Sequence, residues 1–323
     1  MGPTASGKST LALALAEKMG ERKIGGIGGE IVNADSRQIY RGFDAGTAKP
    51  SQEDMERVPH HLYDFLNPEK PYSAGEYARE ATSTIDSILN RGKVPIIVGG
   101  TGLYLQSLLN GISKLPERNE SIRKNLLAFA EKFGRKALHE RLEKVDSQSA
   151  EKIPYPNIQR VIRALEVYEI TGKSLSRHCA ESQALPLRHA AELFGISWDR
   201  EALKHRIRKR CLATAPSMIE ETQRHLGQVK ENAPAFQGLG YRSALKVVRG
   251  EITSEEFLTH YTRETEQYAK RQMTWFRKDP RIHWISAKEP WNSENAAADL
   301  RNLILRLGVK GISDSRVSNG TVV

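Results

Sequence analysis

The run Gly2-Pro3-Thr4-Ala5-Ser6-Gly7-Lys8-Ser9 matches G-x-x-x-x-G-K-[ST] at every fixed position and leads straight into the helix-forming Leu11-Ala12-Leu13-Ala14-Leu15-Ala16. Few short patterns constrain a fold as tightly. Glycines let backbone N–H groups close around phosphate oxygens, and the helix N-terminus that follows adds positive potential. Lys8 is placed to neutralise a terminal phosphate, and Ser9 to ligate a Mg²⁺ that bridges it.

The rest of the first part alternates between helix and strand patterns. A helix is expected from about Ser9 to Lys18, with buried-strand runs at Ile31-Val32-Asn33-Ala34 and Val94-Pro95-Ile96-Ile97-Val98. Such alternation builds a parallel sheet covered by helices. From about Glu117 to Pro186 the sequence is charged and helix-forming, at Ser121 to Lys132, Ala137 to Lys144 and Ile158 to Ile170. A strand run, Glu192 to Trp198, then returns, followed by helical segments from about Glu201 to Glu231 and Ser254 to Phe276. The expected fold is therefore α/β: a P-loop NTPase-like parallel-sheet core, residues 1–116 and 187–287, interrupted by a helical insert, residues 117–186. Residues 288–323 give a last amphipathic helix near Ala296 to Leu307 and a polar tail, expected to be mobile.

Length and charge narrow the function classes. A chain of 323 residues with 39% hydrophobic content can bury a full core. Lys plus Arg outnumber Asp plus Glu by 49 to 39, a formal charge of +10 that suits a polyanionic partner and equally an ordinary basic enzyme. Cys179 and Cys211 are too few for a disulfide framework or a four-thiolate zinc site, and the histidines show no metal-ligand spacing. No apolar run reaches the roughly 18 residues that span a bilayer, and no signal-peptide core follows Met1. The expectation is a cytoplasmic, membrane-free monomer.

The loop alone does not say which phosphate ester is bound. A kinase or nucleotidase needs a metal-binding carboxylate at the end of a hydrophobic strand. The strand Val94 to Val98 runs instead into Gly99-Gly100-Thr101-Gly102, with no acid. Asp35, at the end of the strand Ile31 to Ala34, is the acid that faces the ligand crevice of a parallel sheet. It can serve as metal ligand, as proton acceptor, or as a helix N-cap. Thr101 is likewise open between a hydrogen-bonding site residue and an N-cap after the Gly-Gly turn.

Beyond the loop, the blocks Asp35 to Tyr40, Gly46-Thr47-Ala48-Lys49-Pro50, Pro59-His60-His61-Leu62, Tyr72-Ser73, Gly99 to Tyr104, Gln159 to Glu166, Gly240-Tyr241-Arg242 and Lys270 to Arg277 occur in one order. In these the chain resembles the tRNA dimethylallyltransferase (tRNA isopentenyltransferase) family of bacterial type, from Gly2 to about Lys278. The resemblance implies transfer of a dimethylallyl group from dimethylallyl pyrophosphate to N6 of the adenine on the 3′ side of the anticodon in a tRNA anticodon stem-loop, with Mg²⁺. Asp35 would then accept the amine proton and Thr101 would hydrogen-bond near the reacting centre. Gly2, Pro3, Thr4, Ala5, Ser6, Gly7, Lys8 and Ser9 would cradle the pyrophosphate; separately, in the dense basic run Lys204, Arg206, Arg208, Lys209 and Arg210, the one-turn spacing of Arg206 and Arg210 lets both reach towards it. The leaving-group charge that develops is what such donors stabilise.

For the tRNA, the resemblance points to Asp35, Ser36, Arg37, Gln38 and Thr101 around an extruded base, and to Arg123, Gln159, Arg160, Val161, Ile162 and Arg163 in the insert. Periodicity puts Val161, Ala164, Leu165 and Tyr168 on the insert's buried face and leaves Arg160 and Arg163 exposed. Such arginines are also what an ordinary solvated helix face carries. In the last core helix Lys270, Thr274 and Arg277 share one side with Arg271 beside them, while Tyr268, Gln272 and Trp275 form a neighbouring stripe. Trp275 and Phe276 read best as core. An adenylate isopentenyltransferase acting on free AMP and an ATP-dependent small-molecule kinase are the competing readings; the insert and the basic Lys270 to Lys278 segment favour tRNA. One departure stands out: only Met1 precedes Gly2, where the family has an apolar strand, and Gly25-Gly26-Ile27-Gly28-Gly29 lengthens the next connection. Either the true start lies upstream or another segment, such as Lys23 to Ile27, takes the place, which its glycines make a poor strand; the chain as written is expected to be poorly folded or weakly active, and about six to eight added upstream apolar residues to restore it.

Overall fold

The computed structural model describes residues 1–20, 28–111, 115–183, 190–306 and 321–322. The chain divides into two compact units, Met1–Gln106 with His189–Val323, and Ser107–Arg188.

In the first unit, α1 (Lys8–Met19) buries an almost continuous apolar run, Leu11 to Ala16. Its N-cap is Gly7 at φ 85°, a left-handed conformation in which a Cβ is disfavoured. β1 (Gly29–Asn33) is buried at all five positions, as a strand with neighbours on both faces must be. α2 (Gln52–Arg57) and β2 (His60–His61) follow, and then α3 (Ala74–Asn90), which starts at a Ser73–Glu76 capping box. β3 (Val94–Val98) completes a parallel sheet of order β2-β1-β3, with Ile31 opposite His60 and Ile96. α4 (Gly102–Asn110) leaves it. The strand patterns at Ile31 to Ala34 and Val94 to Val98 thus become β1 and β3.

The second unit is helical: α5 (Glu120–Val145), α6 (Ser147–Lys152), α7 (Ile158–Thr171) and α8 (Leu175–Gln183). Two separate helices were expected where α5 runs, and Gly134, at φ 89° and ψ 159°, does break its geometry midway. Leu126, Leu138, Leu142, Val161, Ile162 and Leu165 form its core.

The first unit resumes with β4 (Ala190–Ala191) and β5 (Leu193–Trp198), then α9 (Arg200–His225), α10 (Tyr241–Val248) and α11 (Ser254–Phe276). α9 stops at His225, short of the expected Glu231. β6 (Ile282–Ala287), which the sequence pattern did not reveal, pairs parallel with β5. α12 (Ser293–Arg306) packs on α1, helped by a Lys18–Glu294 ion pair at 2.9 Å.

Two short pairings lie near the position that the sequence left without a strand. β7 (Thr321–Val322) pairs parallel with Ala190–Ala191 and lies alongside β3. Farther along the same run, the Met1 nitrogen donates to the Phe194 carbonyl at 2.6 Å, and the Ile196 N–H donates to the Met1 carbonyl at 3.0 Å. The opposite edge of β5 is taken by β6. Most of the tail expected to be mobile, residues 307–320, lies outside the described residues. β-branched Thr321 and Val322 suit a pleated ladder, and an open edge between buried strands leaves backbone groups unpaired. Lys23 to Ile27 lie outside the described residues.

Candidate active site

The site lies at the C-terminal ends of β1 and β3, where a parallel sheet opens its crevice. The phosphate loop is walled by aromatic and basic side chains. Trp198 donates its indole N–H to the Ser6 carbonyl at 3.0 Å, and the Arg206 guanidinium stacks 4.3 Å from the Trp198 ring. Arg206 donates to the Ala5 carbonyl at 2.9 Å and pairs with Glu289 at 2.5 Å. Arg210, one turn along α9, donates to the Thr4 hydroxyl at 2.6 Å. The structure therefore brings Arg206 and Arg210 to the loop, as the sequence suggested. Their i, i+4 spacing on a helix that passes the loop is the reason.

Three buried polar atoms around this loop have no hydrogen-bond partner: Ser6 Oγ, Arg210 Nε and Trp291 Nε1. Unmet donors of this kind are costly unless a ligand supplies the acceptor. Trp291 also explains Gly7, because a Cβ there would stand 2.7 Å from its Nε1. Burial lowers the Lys8 ammonium to about 8, with Asp35 opposing the shift and Arg210 adding to it. Lys8 donates to the Pro3 carbonyl at 3.4 Å, a long bond that a phosphate oxygen can replace. Ser9 is exposed at the start of α1, where one hard hydroxyl oxygen suits a Mg²⁺ whose other ligands come from a diphosphate and water.

On the acceptor side, Asp35 follows β1. One of its carboxylate oxygens accepts the Arg37 N–H at 2.9 Å, and its own N–H donates to Asn33 Oδ1 at 2.8 Å. Of the three readings of Asp35, the N-cap is unsupported, because no α-helix starts here before Gln52. Its charge reaches Tyr63, Tyr104 and Tyr268, whose hydroxyls burial already pushes up, Tyr268 to about 12. Thr101 Oγ1 accepts the Ser36 N–H at 3.0 Å and donates to the Ser36 hydroxyl at 3.2 Å, so Asp35, Ser36 and Thr101 form one cluster. Gly99 permits this junction: a Cβ on it would fall 2.2 Å from the Ala34 carbonyl.

Two expected base-reading groups are partly engaged. Gln38 is buried and spends its Nε2 on the Thr47 and Ala48 carbonyls, leaving its Oε1, and Arg37 donates to the Pro234 carbonyl. The Gly46 to Pro50 block therefore holds Gln38. The approach to that block is held by buried Glu221, which accepts from the Asp44 and Ala45 N–H groups and from the Tyr241 hydroxyl, itself the acceptor of the Gly46 N–H; no local pattern marks Glu221.

In the helical unit the arginines behave differently from one another. Glu166 is fully buried and accepts from Arg163 at 2.8 Å, Arg123 at 3.2 Å and the Asn119 N–H at 2.8 Å, which hold its carboxyl below the usual range. Arg163, expected on an exposed side, is half-buried by this pairing, and that expectation is corrected; Arg160 and Gln159 are exposed. The side chains of Val161 and Ile162 are buried in the unit's core, so they can seat the arginines but cannot touch an RNA. On α11, Lys270 and Arg271 are exposed, as is Arg277 just past its end. Phe276 is core, as expected, but Trp275 is 38% exposed and lies over Gly102. Among the described residues no cluster of three or more His, Cys, Asp or Glu side chains could hold a metal, and no helix is long and apolar enough to cross a membrane.

Comparison with known proteins agrees with this geometry. The family model described as IPP transferase matches residues 38–279. A tRNA dimethylallyltransferase of Acetivibrio thermocellus is 40% identical over 96% of this chain and 97% of its own. Another, of Geobacter sulfurreducens, is 42% identical over 92% and 94%. Among solved structures, a tRNA isopentenylpyrophosphate transferase from Staphylococcus epidermidis is 37% identical with a TM-score of 0.67, covering 95% of this chain and 97% of its own. A eukaryotic dimethylallyltransferase crystallised while acting on tRNA is 27% identical with a TM-score of 0.74, over 94% and 78%. With a phosphate loop, an acid at the end of β1 and these relatives spanning nearly its whole length, the chain belongs to the tRNA dimethylallyltransferase family of IPP transferases.

Proposed function

We propose that this enzyme transfers the dimethylallyl group of dimethylallyl pyrophosphate to N6 of the adenine 3′-adjacent to the anticodon in tRNA, in the cytoplasm and as a monomer. The observation that carries this reading is the meeting of two half-sites at one sheet edge. One is a loop lined by Lys8, Arg206, Arg210 and unpartnered donors, and the other is the Asp35, Ser36 and Thr101 cluster. The kinase reading lacks support, since β3 ends in Gly99, where a side chain would collide with Ala34.

In the reaction the allylic C–O bond breaks and its electron pair leaves with pyrophosphate. Lys8, Arg206, Arg210 and the loop N–H groups receive that charge in place. A Mg²⁺ held by the Ser9 hydroxyl would supply further charge neutralisation on the leaving group. The adenine N6 forms the new C–N bond and its proton passes to the Asp35 carboxylate, while Thr101 and Ser36 hold the amine. Gln38, fixed through its Nε2, offers Oε1 to the base edge. On the tRNA side, the exposed Arg160 in the helical unit, and the exposed Lys270 and Arg271 on α11 with Arg277 just past its end, supply cations for phosphates, whereas Arg123 and Arg163 are tied to Glu166.

The test offers labelled dimethylallyl pyrophosphate with unmodified tRNA, with AMP, and with neither. Label in tRNA alone is expected. Label in AMP alone would establish the adenylate reading instead.

A further inference from the structure

Helix α11 meets the turn that leaves β3 with three side chains from one stripe. The Tyr268 hydroxyl interacts with the Thr101 hydroxyl. Trp275 covers Gly102, where a Cβ would stand 2.3 Å from the indole. Between them Gln272 is buried, and both ends of its amide are used. Its Nε2 donates to the Gly100 carbonyl at 2.8 Å, and its Oε1 accepts the Thr4 N–H at 2.9 Å.

Thr4 belongs to the phosphate loop and Gly100 immediately precedes Thr101. One planar amide thus bridges the donor half-site and the acceptor half-site. Both bonds lie in the interior, where an unmade bond is penalised, so neither side can shift alone without leaving a buried group unpaired. Gly100 is the counterpart of this arrangement: a Cβ there would fall 2.2 Å from Gln272 Nε2 and displace the amide.

We propose that Gln272 is a positioning residue for prenyl transfer, fixing the spacing between the loop that holds the leaving group and the Thr101 turn beside Asp35. The proposal rests on the function proposed above. Displacement at the allylic carbon needs donor and acceptor atoms held in line, and a misplacement of about 1 Å can lower the rate about 10²-fold. Gln272 touches neither substrate, so its loss acts on turnover and leaves each half-site's own binding groups intact.

The experiment measures kcat, the two KM values and Tm for Gln272→Met, Gln272→Ala, Gly100→Ala and the Gln272→Ala, Gly100→Ala pair. Gln272→Met keeps the volume and removes both bonds. It should lower kcat about 10- to 100-fold with both KM values within about threefold of wild type. Gly100→Ala should lower kcat similarly by pushing the amide aside. In the Gln272→Ala background, where no amide remains to be displaced, it should add less than about twofold. Wild-type kcat per folded molecule in Gln272→Met, whatever its Tm, overturns the bridge, as do strictly additive losses in the cycle. A wild-type protein that labels no tRNA overturns the functional reading and the bridge with it, whereas an active wild type with a silent Gln272 sinks the bridge alone.

Discussion

At the scale of single residues, the proposed reaction splits its chemistry between a base that acts only as the new bond forms and cations that act on a bound anion. Asp35→Asn should therefore lower turnover by about 10² to 10⁴ while leaving stem-loop affinity close to wild type, because a general base acts mainly in the transition state. Single-turnover rates set beside binding titrations decide it, and near-normal turnover would remove Asp35 from the role. Lys8 makes a pH prediction. Its folded value, about 8, lies below the ordinary lysine value of 10.5, so its charge opposes folding below pH 8 and that penalty fades as pH rises from 8 to 10.5. A bound pyrophosphate reverses the preference by restoring the charge. Binding near pH 8 to 9 should take up protons, seen as a buffer-dependent binding enthalpy, and affinity should fall as pH climbs further. Lys8→Ala should bind pyrophosphate weakly and lose the proton uptake. The loop, Asp35 and Thr101 were legible because each sits in a short local pattern. Trp198, Trp291 and Glu221 were not, because they reach the site through folding from positions far along the chain, with no local spacing to mark them.

At the scale of elements, helix boundaries followed sequence where caps and glycines punctuate it. Ile158 and Ser254 begin their helices where periodicity put them, the second behind a Thr253–Glu256 capping box. What periodicity missed was pairing: Ile282–Ala287 alternates weakly and becomes a strand because β5 offers an edge. It also misjudged Arg163, since a helix pattern shows that a side chain flanks the core but not that a buried Glu166 awaits it. The arginines on α7 should accordingly separate by experiment. Arg160→Ala should lower the slope of log affinity against log salt for an anticodon stem-loop by about 0.7 to 0.9 without changing Tm. Arg163→Ala should lower Tm as well, since removing one partner of a buried ion pair costs about 3 to 5 kcal/mol, reduced here because Arg123 remains on Glu166. Equal Tm for the two variants would show that the Glu166 pairings carry no structural weight.

At the scale of the whole molecule, two short pairings join distant parts of the chain: Thr321–Val322 with Ala190–Ala191, and Met1 with Phe194. Val322→Pro should remove a ladder donor, lowering Tm by about 2 to 4 °C per kcal/mol lost and weakening pyrophosphate binding, with Val322→Ile close to wild type. The pairing of Ala190 with Thr321 also bears on how the protein acquires activity. Contacts between residues so far apart in sequence close large loops and form late in folding. The phosphate loop is anchored beside that pairing. During refolding, competence to bind the donor should consequently trail the appearance of helix, arriving with the last strand to dock.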